Sequence, residues 1–528
     1  MINLIFPPIA SPSCVPLGVS FLKSHIDTKL GLNKLVVTDL NISFWNYLTD
    51  LNNELISYKQ FVKGESGPFL RRYYEPQLPA QQILKRETDL YLDGIRKWLD
   101  KEILSNDVLI LFNYLLEQIP NNDDPIMFSC LFPDQLLFTL GFTKWVNTKG
   151  FKKIYIGGAS VLIVDPIEFM ELAPWIDGVF TGEGEISIEL FIKDGNKAVI
   201  PGLYKRVNGT IINEKQTIVP AMNELSIPDF SWTNLNNYFN PEPVLPVQFS
   251  RGCKWRRCRF CAHNFSFGKY RCLTPSRAVD MLQDYGKAYG AKYFYVTDQY
   301  LDAEFLQPFA TEILNRNLSI RYTFMGRPAE DMTKDLLVLL SRSGCRWISW
   351  GVESGNARLL DIAQKGTNPK EVSRVLKDSS DAGIRNQALM IFGLPGSNDF
   401  AAEETYNFLQ ENRDWIHSHT ASEFQLYKGT PFGNNPEKYG LRVTGVTEFC
   451  RINGVSLQSV KREYTMSNGD EPEVLRGPLE SRKWKRLGVW VYPDNFWNSL
   501  PSEHYLILSA MELDQNNPDN PIIDNRVS

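Results

Sequence analysis

The sequence has little histidine, no excess of positive charge and no long apolar segment. Only 5 of its 528 residues are histidine, and the formal net charge is -5. This charge gives no electrostatic reason to expect a nucleic-acid partner. No apolar run reaches the ~18 residues that a membrane-spanning helix needs, so we expect no membrane partner. Residues 1–6 lack the charged region and cleavage site of a secretory signal peptide, which predicts a cytoplasmic protein.

Cysteine is also sparse, but three of the eight cysteines are clustered. Cys253, Cys258 and Cys261 lie within nine residues at C-x4-C-x2-C spacing. Eight cysteines in a chain of this length do not make a disulfide framework, and clustered thiols favour a reducing compartment. Thiolates are soft ligands that select zinc or an iron–sulfur cluster over hard cations. The sequence therefore predicts a metal centre on this loop.

Three kinds of metal site fit this spacing. In the first, the three cysteines hold a [4Fe-4S] cluster and leave one iron open. In the second, Cys272 or Cys345 closes the cluster, as a remote fourth cysteine does in plant-type ferredoxins. In the third, the three cysteines hold a structural zinc with Cys272 or His263. The flanks favour the first site, because an apolar strand over residues 244–249 leads into the loop and Phe260 precedes the third cysteine.

Strand and helix patterns alternate along most of the chain, which predicts an α/β protein of two or three domains. Residues 1–200 predict a Rossmann-like, doubly wound domain with a mostly parallel sheet and a helical insertion at about 52–124. Ligands of such sheets bind at the carboxyl ends of the strands. The predicted strands of this domain are residues 2–6, 35–39, 125–132, 153–158 and 178–185.

A second alternating series follows a linker over residues 201–243, in which Asn208-Gly209 predicts the turn of a hairpin. Residues 244–432 predict a partial (β/α)6 barrel, a fold that keeps its chemistry at the carboxyl ends of its strands. Residues 433–528 predict a small α+β region that covers the open side of the barrel and shapes a substrate pocket.

These features together resemble the radical S-adenosylmethionine (radical SAM) enzymes that carry a cobalamin-binding domain. Cys258 to Cys261 fits the second half of that family's C-x3-C-x-aromatic-C loop, and the first half has one extra residue. Gly351 to Gly355 matches its GVESG strand, and Gly393 to Gly396 matches its fifth-strand turn. The resemblance implies that Cys253, Cys258 and Cys261 bind a [4Fe-4S] cluster, which cleaves S-adenosylmethionine to a 5'-deoxyadenosyl radical. The residues that it implies for S-adenosylmethionine are Phe260, Asp298, Arg327, Glu353, Ser354, Gly393 and Pro395.

The N-terminal half resembles the cobalamin-binding domain that precedes many radical SAM barrels. A Pro-Pro loop follows the first strand, a Gly pair follows the fourth, and Gly-Glu-Gly-Glu follows the fifth. The Asp-x-His-x-x-Gly motif that supplies a lower cobalt ligand is absent, which is usual in this radical class. The alternative is a nucleotide-type fold that has lost its ligand. The residues implied for cobalamin are Pro8, Cys14, Gly157, Gly158, Ser160, Gly182, Glu183 and Gly184.

The resemblance implies a cobalamin-dependent methyltransferase that acts on an unactivated carbon of a peptide or a natural product. It also implies a low-potential electron donor such as flavodoxin or ferredoxin as a partner. One alternative is a radical SAM cyclase or rearrangement enzyme without methyl transfer. An alternative from another class is a closed-cluster electron-transfer or sensor protein, which would need Cys272 or Cys345 as a ligand. No catalytic side chain is predicted.

Overall fold

The computed structural model describes residues 1–51, 78–120, 124–195, 199–213, 221–263, 268–466 and 502–515. These residues fall into two compact units. The first unit contains the described residues of 1–239 and of 446–461, and the second contains those of 240–445 and 462–515. Within these ranges, no helix is both long and apolar enough to cross a membrane.

A seven-stranded sheet forms the centre of the first unit. Its strands are β1 (Ile2–Phe6), β2 (Leu35–Asp39), β3 (Ile126–Ser129), β4 (Ile154–Gly157), β5 (Gly178–Phe180), β6 (Leu203–Val207) and β7 (Thr210–Asn213). They lie in the order β2-β1-β3-β4-β5-β6-β7. The first five strands are parallel, and β6 and β7 are antiparallel. The strand order reverses between β1 and β3, which is where ligands bind in open parallel sheets.

Seven helices accompany this sheet in the described part of the unit. They are α1 (Leu17–Leu30), α2 (Leu40–Leu51), α3 (Leu78–Lys101), α4 (Asn106–Leu116), α5 (Pro133–Thr148), α6 (Pro166–Leu172) and α7 (Gly184–Asp194). Helices α3 and α4 form the described part of the predicted insertion; residues 52–77 and 121–123 of that insertion lie outside the described residues. Phe112 of α4 makes edge-to-face contacts with Phe138 and Phe142 of α5, so the insertion shares the core of the unit.

Two sequence predictions in this unit compare directly with the structure. The predicted hairpin is present, and both turn residues, Asn208 and Gly209, have positive φ as a two-residue turn requires. It pairs with β5 and so continues the sheet. The fifth strand was predicted over residues 178–185, which is too long. It ends at Phe180, because Gly182 has a φ of +79° and turns the chain into α7.

The second unit is built on a curved sheet of six parallel strands. The strands of this part of the chain are β8 (Val244–Val247), β9 (Ser250–Arg251), β10 (Arg271–Cys272), β11 (Tyr293–Val296), β12 (Arg321–Gly326), β13 (Cys345–Glu353), β14 (Arg385–Phe392), β15 (Ser418–Glu423), β16 (Leu426–Tyr427), β17 (Leu441–Ile452) and β18 (Val455–Met466). The six-stranded sheet has the order β15-β14-β13-β12-β11-β8. Its neighbouring strands are all parallel, which confirms the predicted partial (β/α)6 barrel.

Helices connect the barrel strands and follow them. They are α8 (Pro275–Tyr289), α9 (Ala303–Asn315), α10 (Lys334–Arg342), α11 (Ala357–Ile362), α12 (Pro369–Asp381), α13 (Asp399–Glu411), α14 (Pro431–Asn434) and α15 (Ser502–Gln515). The predicted cap of α8 is confirmed, since the hydroxyl of Thr274 accepts a hydrogen bond from the backbone N–H of Arg277.

The last described helix, α15, packs against the inner face of the barrel sheet. The ring of Tyr505 stacks on Trp347 of β13 with centroids 4.6 Å apart. Trp347 and Gly351 lie on the same face of β13, because alternate strand residues share a face. At the amino ends of β12 and β13, Arg321 and Arg346 both form ion pairs with Asp514 of α15. The C-terminal region thus contributes a helix to the barrel core.

The hairpin of β17 and β18 has its base in the second unit and its tip, residues 446–461, in the first. At the tip, Asn453 accepts a hydrogen bond from the buried ammonium of Lys144 at 2.9 Å. Its backbone N–H donates to the carbonyl of Leu99 at 3.0 Å. Next to it, the N–H of Gly454 donates to Asp100. The tip is therefore held by the end of α3 and by α5.

Candidate active site

The cluster loop, residues 248–263, begins at the carboxyl end of β8 and is anchored there by Asp298. The carboxylate of Asp298 accepts a hydrogen bond from the N–H of Phe249 at 2.9 Å and from the hydroxyl of Ser250 at 2.5 Å, and the N–H of Ser250 is a third donor. Asp298 is fully buried, and burial raises its pKa to about 7 despite these donors. Asp298, which was predicted to bind S-adenosylmethionine, thus uses both carboxylate oxygens to accept hydrogen bonds from the start of the loop.

The extra residue of the C-x4-C-x2-C spacing lies in a turn that Trp255 fastens to the barrel. Arg256 has a φ of +47°, a left-handed conformation that compacts this part of the loop. The indole N–H of Trp255 donates to the carbonyl of Gln364 at 3.0 Å. Its ring lies so close to Gly366 that a Cβ at that position would be 2.1 Å from a ring carbon. Only glycine therefore fits at residue 366 without displacing the indole.

Two arginines enclose the Trp255 ring. The guanidinium carbons of Arg327 and Arg257 lie 4.1 Å and 5.0 Å from the ring centroid. Arg327 also donates to the carbonyl of Gly366 at 2.8 Å. The predicted strand-end arginine is thus in contact with the cluster loop and with the loop at residues 364–367.

The second half of the cluster loop is held by backbone contacts and apolar packing. The N–H and the guanidinium of Arg259 donate to the carbonyls of Ala363 and Ile362, at 2.9 Å and 2.8 Å. Phe260 packs against an apolar cluster that includes Leu394 and Phe424. Phe260 thus lies beside the Gly393–Gly396 turn, as two predicted S-adenosylmethionine elements should.

None of the three loop cysteines forms a disulfide with another described residue, and all three are half-buried. Burial raises the pKa of the Cys258 thiol to about 11; the Lys365 ammonium opposes this, while Cys261 and Cys253 add to it. Iron binding requires thiolates, and the lysine supplies the positive charge that favours them. Among the described residues, no three His, Cys, Asp or Glu side chains are grouped to hold a single metal ion. In an iron–sulfur cluster, by contrast, each cysteine binds a different iron, so the thiols need not converge on one point.

The structure separates the two proposed fourth ligands. Cys272 is exposed on β10, which pairs with β9 at the start of the cluster loop. Cys345 is buried at the amino end of β13. A strand of nine residues spans about 27 Å, and the cluster loop follows the carboxyl end of a parallel strand. Cys345 as a fourth ligand is therefore wrong.

Glu353, at the carboxyl end of β13, forms a buried ion pair with Lys365 at 2.7 Å. Both residues are 8% exposed. The predicted neighbour Ser354 is engaged in the following turn, where its hydroxyl contacts Thr405 at 3.0 Å and accepts from the N–H of Asn356. The pair thus presents a carboxylate at the strand end while Ser354 closes the turn behind it.

The predicted fifth-strand turn is present after β14. Gly393 and Gly396 have φ values of +75° and +85°, and the N–H of Ser397 donates to the carbonyl of Leu394 across Pro395. A cleft of about 790 Å³ opens beside this turn. It is lined by Asn356, Ala357, Arg358, Gly396, Ser397, Asn398, Phe400, Glu404, Tyr439, Gly440 and Met466, and none of the three loop cysteines reaches it.

Four buried polar atoms in the loops after β11, β12 and α11 have no hydrogen-bond partner in the described part of the chain. Buried polar groups are nearly always hydrogen-bonded in native proteins, so such atoms are suited to a ligand. They are Oε1 of Gln299, Nε of Arg327, Oδ1 of Asp331 and Oγ1 of Thr367. Tyr300 links two of these residues, since its ring contacts Arg327 and its hydroxyl lies 3.5 Å from Asp331.

In the first unit, the predicted cobalamin residues lie at the carboxyl edge of the sheet. The Gly157-Gly158 pair packs tightly against the loop after β3: a Cβ at Gly158 would be 2.3 Å from the carbonyl oxygen of Cys130. The hydroxyl of Ser160 donates to the same carbonyl at 2.9 Å. These contacts give the glycines a structural role in joining the two loops.

The other predicted residues of this edge follow β1 and β5. Pro8 and Cys14 lie in the loop after β1, where the thiol of Cys14 donates to the carbonyl of Val15. Gly182, with its positive φ, is exposed, and Glu183 directly precedes α7, which begins at Gly184. The loops after β1, β4 and β5 thus end at one edge, as a ligand site of this fold requires.

The family comparison identifies the second unit. Residues 247–409 match the Radical SAM superfamily. The chain contains a radical SAM domain. The match includes Cys253, Cys258, Cys261 and Glu353, so the predicted family is confirmed for the part of the chain that carries the cluster loop.

Two curated relatives share about half of the chain with this protein. An uncharacterized methyltransferase of Pyrococcus horikoshii, PH0819, is 25% identical over 49% of this chain and 58% of its own length. The anaerobic magnesium-protoporphyrin IX monomethyl ester cyclase of Rubrivivax gelatinosus is 26% identical over 57% of this chain and 55% of its own length. The chain thus spans little more than half the length of these relatives.

Solved structures share the fold over more of the chain. The cobalamin-dependent S-adenosylmethionine radical enzyme OxsB has a TM-score of 0.61 at 16% identity, over 87% of this chain and 64% of its own. The radical S-adenosylmethionine methyltransferase TsrM of Kitasatospora setae has a TM-score of 0.60 at 14% identity, over 95% of this chain and 89% of its own. The fold of the radical SAM domain and of the unit before it is therefore that of known proteins, as predicted.

Sequence reasoning missed several residues of these sites. Lys365 and Gly366 were missed because they lie in a loop after α11, far in sequence from the cysteines that they approach. Leu131 and Phe132 were predicted as the end of a buried strand, but they lie beyond β3 and are 47% and 43% exposed at the carboxyl edge of the sheet. Their position two and three residues past the last strand residue could have indicated a ligand-facing loop.

Proposed function

We propose that this chain is a cobalamin-dependent radical SAM enzyme that methylates an unactivated carbon of a peptide or natural-product substrate. The observation that carries the proposal is the cluster loop: three thiols on one loop, fixed at the end of the first barrel strand by Asp298 and beside the buried carboxylate of Glu353. The domain before the barrel supports the cobalamin part, because OxsB and TsrM combine the same fold with bound cobalamin.

Cys253, Cys258 and Cys261 would hold the [4Fe-4S] cluster with one iron left for S-adenosylmethionine, which the cluster cleaves to a radical when it is reduced. Each remaining task falls to the protein. Asp298 and Trp255 fix the two ends of the first half of the loop. Glu353 presents a carboxylate for the amino or ribose group of S-adenosylmethionine. Phe260 and the Gly393–Gly396 turn supply an apolar and a backbone surface for its adenine.

The substrate would contact the buried polar atoms in the loops after β11, β12 and α11. Gln299, Asp331 and Thr367 each carry a buried atom without a partner among the described residues. A substrate with several hydrogen-bonding groups, such as a peptide, would satisfy them.

Cobalamin would lie at the carboxyl edge of the first unit's sheet. The loops after β1, β4 and β5 carry Pro8, Gly158 and Gly182, and Leu131 and Phe132 add exposed apolar surface there. The described residues of this edge include no histidine, so a bound cobalt would lack an imidazole ligand from it. An apolar face suits the corrin ring better than it suits a nucleotide phosphate.

A second candidate function is cyclisation without methyl transfer, because one relative is a cyclase. Methylation is favoured by the methyltransferase PH0819 and by TsrM, which covers 95% of this chain. In either case we propose a low-potential flavodoxin or ferredoxin as the electron donor.

The test is the iron and cobalt content of the full chain after anaerobic reconstitution with iron, sulfide and hydroxocobalamin. We expect about four irons and about one cobalt per chain. Incubation with S-adenosylmethionine, a reductant and candidate peptides should then yield 5'-deoxyadenosine and S-adenosylhomocysteine together.

The other outcomes separate the alternatives. Iron with no cobalt, and 5'-deoxyadenosine with no S-adenosylhomocysteine, would favour the cyclase. Two irons, or one zinc per chain, would exclude radical SAM chemistry altogether. A matched control is Gly158→Val, which places side-chain atoms against the Cys130 carbonyl and should lower cobalt without lowering iron.

A further inference from the structure

Lys365 is the one buried lysine that the described residues place beside both the cluster cysteines and the Glu353 carboxylate. Its ammonium lies 2.7 Å from Oε1 of Glu353 and is 8% exposed. The ammonium thus lies inside the protein with the Glu353 carboxylate as its ion-pair partner.

The backbone is shaped to admit this side chain. A Cβ at Gly351 would lie 2.5 Å from the Lys365 ammonium and 2.9 Å from Oε1 of Glu353. Any other residue at 351 would therefore push the pair away from β13. Glu353 itself has a φ of +66°, which a non-glycine residue adopts only when its surroundings impose it.

The loop that carries Lys365 is tied to the cluster loop by the next residue. Gly366 contacts the Trp255 ring, and its carbonyl accepts a hydrogen bond from Arg327. The carbonyl of Gln364, on the other side, accepts from the Trp255 indole. Both neighbours of Lys365 thus bind the cluster loop, which fixes the distance between the lysine and the cysteines.

We propose that Lys365 is a positioning residue for the radical reaction, with two effects. It holds the Glu353 carboxylate in place for S-adenosylmethionine, and its fixed positive charge makes the neighbouring cluster easier to reduce. The inference rests on the proposed function in that it requires the [4Fe-4S] cluster. The step concerned is the transfer of one electron from an external low-potential donor to the cluster, with no bond made or broken and no proton moved.

Reduction adds one negative charge to a site that already holds thiolates, and a buried cation nearby stabilises that charge far more than an exposed one. A lysine that served only as a structural partner of Glu353 would affect stability but would leave the potential unchanged. The reduction potential therefore distinguishes the two roles.

The experiment compares the reduction potential of the reconstituted cluster in variants of the full chain. The potential is measured by electron paramagnetic resonance during titration with dithionite or titanium(III) citrate. In Lys365→Met we expect the equilibrium for one-electron reduction to become at least tenfold less favourable, which is about 59 mV lower. Lys365→Arg keeps the charge and should keep the potential near that of the wild type.

The matched control is Lys254→Met. Lys254 directly follows Cys253 and is 42% exposed, and it is paired with Asp302 and Glu304. The same loss of one positive charge should shift the potential much less there, because exposed charges are screened. A shift as large as that of Lys365→Met would show a general charge effect and would overturn the assignment to Lys365.

The affinity for S-adenosylmethionine tests whether Lys365 holds the Glu353 carboxylate in place. It is measured from the change that binding causes in the spectrum of the cluster. Lys365→Met and Glu353→Gln should each weaken binding at least tenfold. The double variant should recover stability, since removing both charges leaves no unpaired buried ion. The double variant therefore replaces Lys365→Met in the binding measurement if Lys365→Met alone does not fold.

Two negative results are distinct. If the wild-type chain takes up no four-iron cluster, the proposed function fails and this inference fails with it. If the wild type holds the cluster, Lys365→Met keeps the wild-type potential, and both Lys365→Met and the double variant keep the wild-type affinity for S-adenosylmethionine, then Lys365 is only a structural ion-pair partner and the proposed function stands.

Discussion

At the scale of single residues, the cluster loop depends on side chains that do not bind the cluster. Asp298 receives three hydrogen bonds from two consecutive residues of the loop, and Trp255 reaches over to the loop after α11. Each of these contacts joins segments that are far apart in sequence. The conformation of the loop is consequently set by its contacts with the barrel, and the spacing of its cysteines alone does not determine it.

Replacing Asp298 tests this anchor. In Asp298→Ala, three donors at the start of the loop lose their acceptor, and each unsatisfied buried donor costs about 1–3 kcal/mol. We expect a lower melting temperature and less than half of the wild-type iron content after reconstitution. Asp280→Ala, which removes a partly exposed ion pair with Arg316, is the control; equal iron loss in both variants would contradict the anchor.

The cysteines give a second prediction at this scale. Cys258→Ala should remove the four-iron cluster, while Cys272→Ala should retain it, because the open-iron site needs three thiolates only. Iron content and the ultraviolet–visible spectrum measure the difference. Loss of the cluster in Cys272→Ala would instead indicate a closed, four-cysteine cluster and an electron-transfer protein.

Asp39 gives a prediction about pH. It is buried at the end of β2, where burial raises the pKa of its carboxyl from 3.8 to about 6 despite hydrogen bonds from Tyr238 and Ile42. A raised folded-state pKa means that its contribution to stability is complete below pH 3.8 and is lost as the pH rises through 6. The loss amounts to about 3 kcal/mol.

We therefore expect Asp39→Asn to gain stability relative to the wild type between pH 5 and pH 7.5. Calorimetric melting at both pH values measures it. A stability difference that is the same at the two pH values would show that Asp39 is not protonated in the folded protein.

At the scale of elements, predictions from periodicity and caps succeeded where the determining contacts are local. The strand Ile2–Phe6, the Asn208-Gly209 turn and the Thr274 cap follow from residues within a few positions of each other. The place of α15 on the inner face of the barrel does not, because it depends on Tyr505 meeting Trp347 more than 150 residues earlier. The Glu353–Lys365 pair was missed for a related reason: nothing in the spacing of twelve residues reveals that α11 folds back.

Helix α15 gives a prediction at this scale. Arg321 and Arg346 are 7% and 6% exposed in their side chains, and both pair with Asp514. Asp514→Ala leaves two buried guanidinium groups without this partner, and breaking a buried pair costs about 3–5 kcal/mol. We expect a lower melting temperature for the barrel. Glu448→Ala, which removes an exposed ion pair with Arg451, should change it by less than about 1 kcal/mol.

At the scale of the whole molecule, two units with separate folds share one chain, and the parallel sheets of both could be predicted from alternating patterns. The division of the hairpin could not. Its tip groups with the first unit through Lys144, Asn453 and Gly454, which are polar residues without a distinctive sequence pattern. Polar contacts between residues so far apart in sequence produce no periodic pattern from which they could be predicted.

The hairpin also has a consequence for the order of synthesis. A ribosome adds roughly 5–20 residues per second, so the roughly 200 residues that separate Phe239 from the hairpin tip take on the order of 10–40 s. During that interval all strands of the first unit's sheet have been synthesised. The ammonium of Lys144 and the carbonyl of Leu99 do not yet have their hydrogen bonds with Asn453. The first unit thus gains its last segment only after the barrel has been translated. A chaperone that shields the surface around Lys144 and Leu99 would act in the interval before the hairpin tip is synthesised.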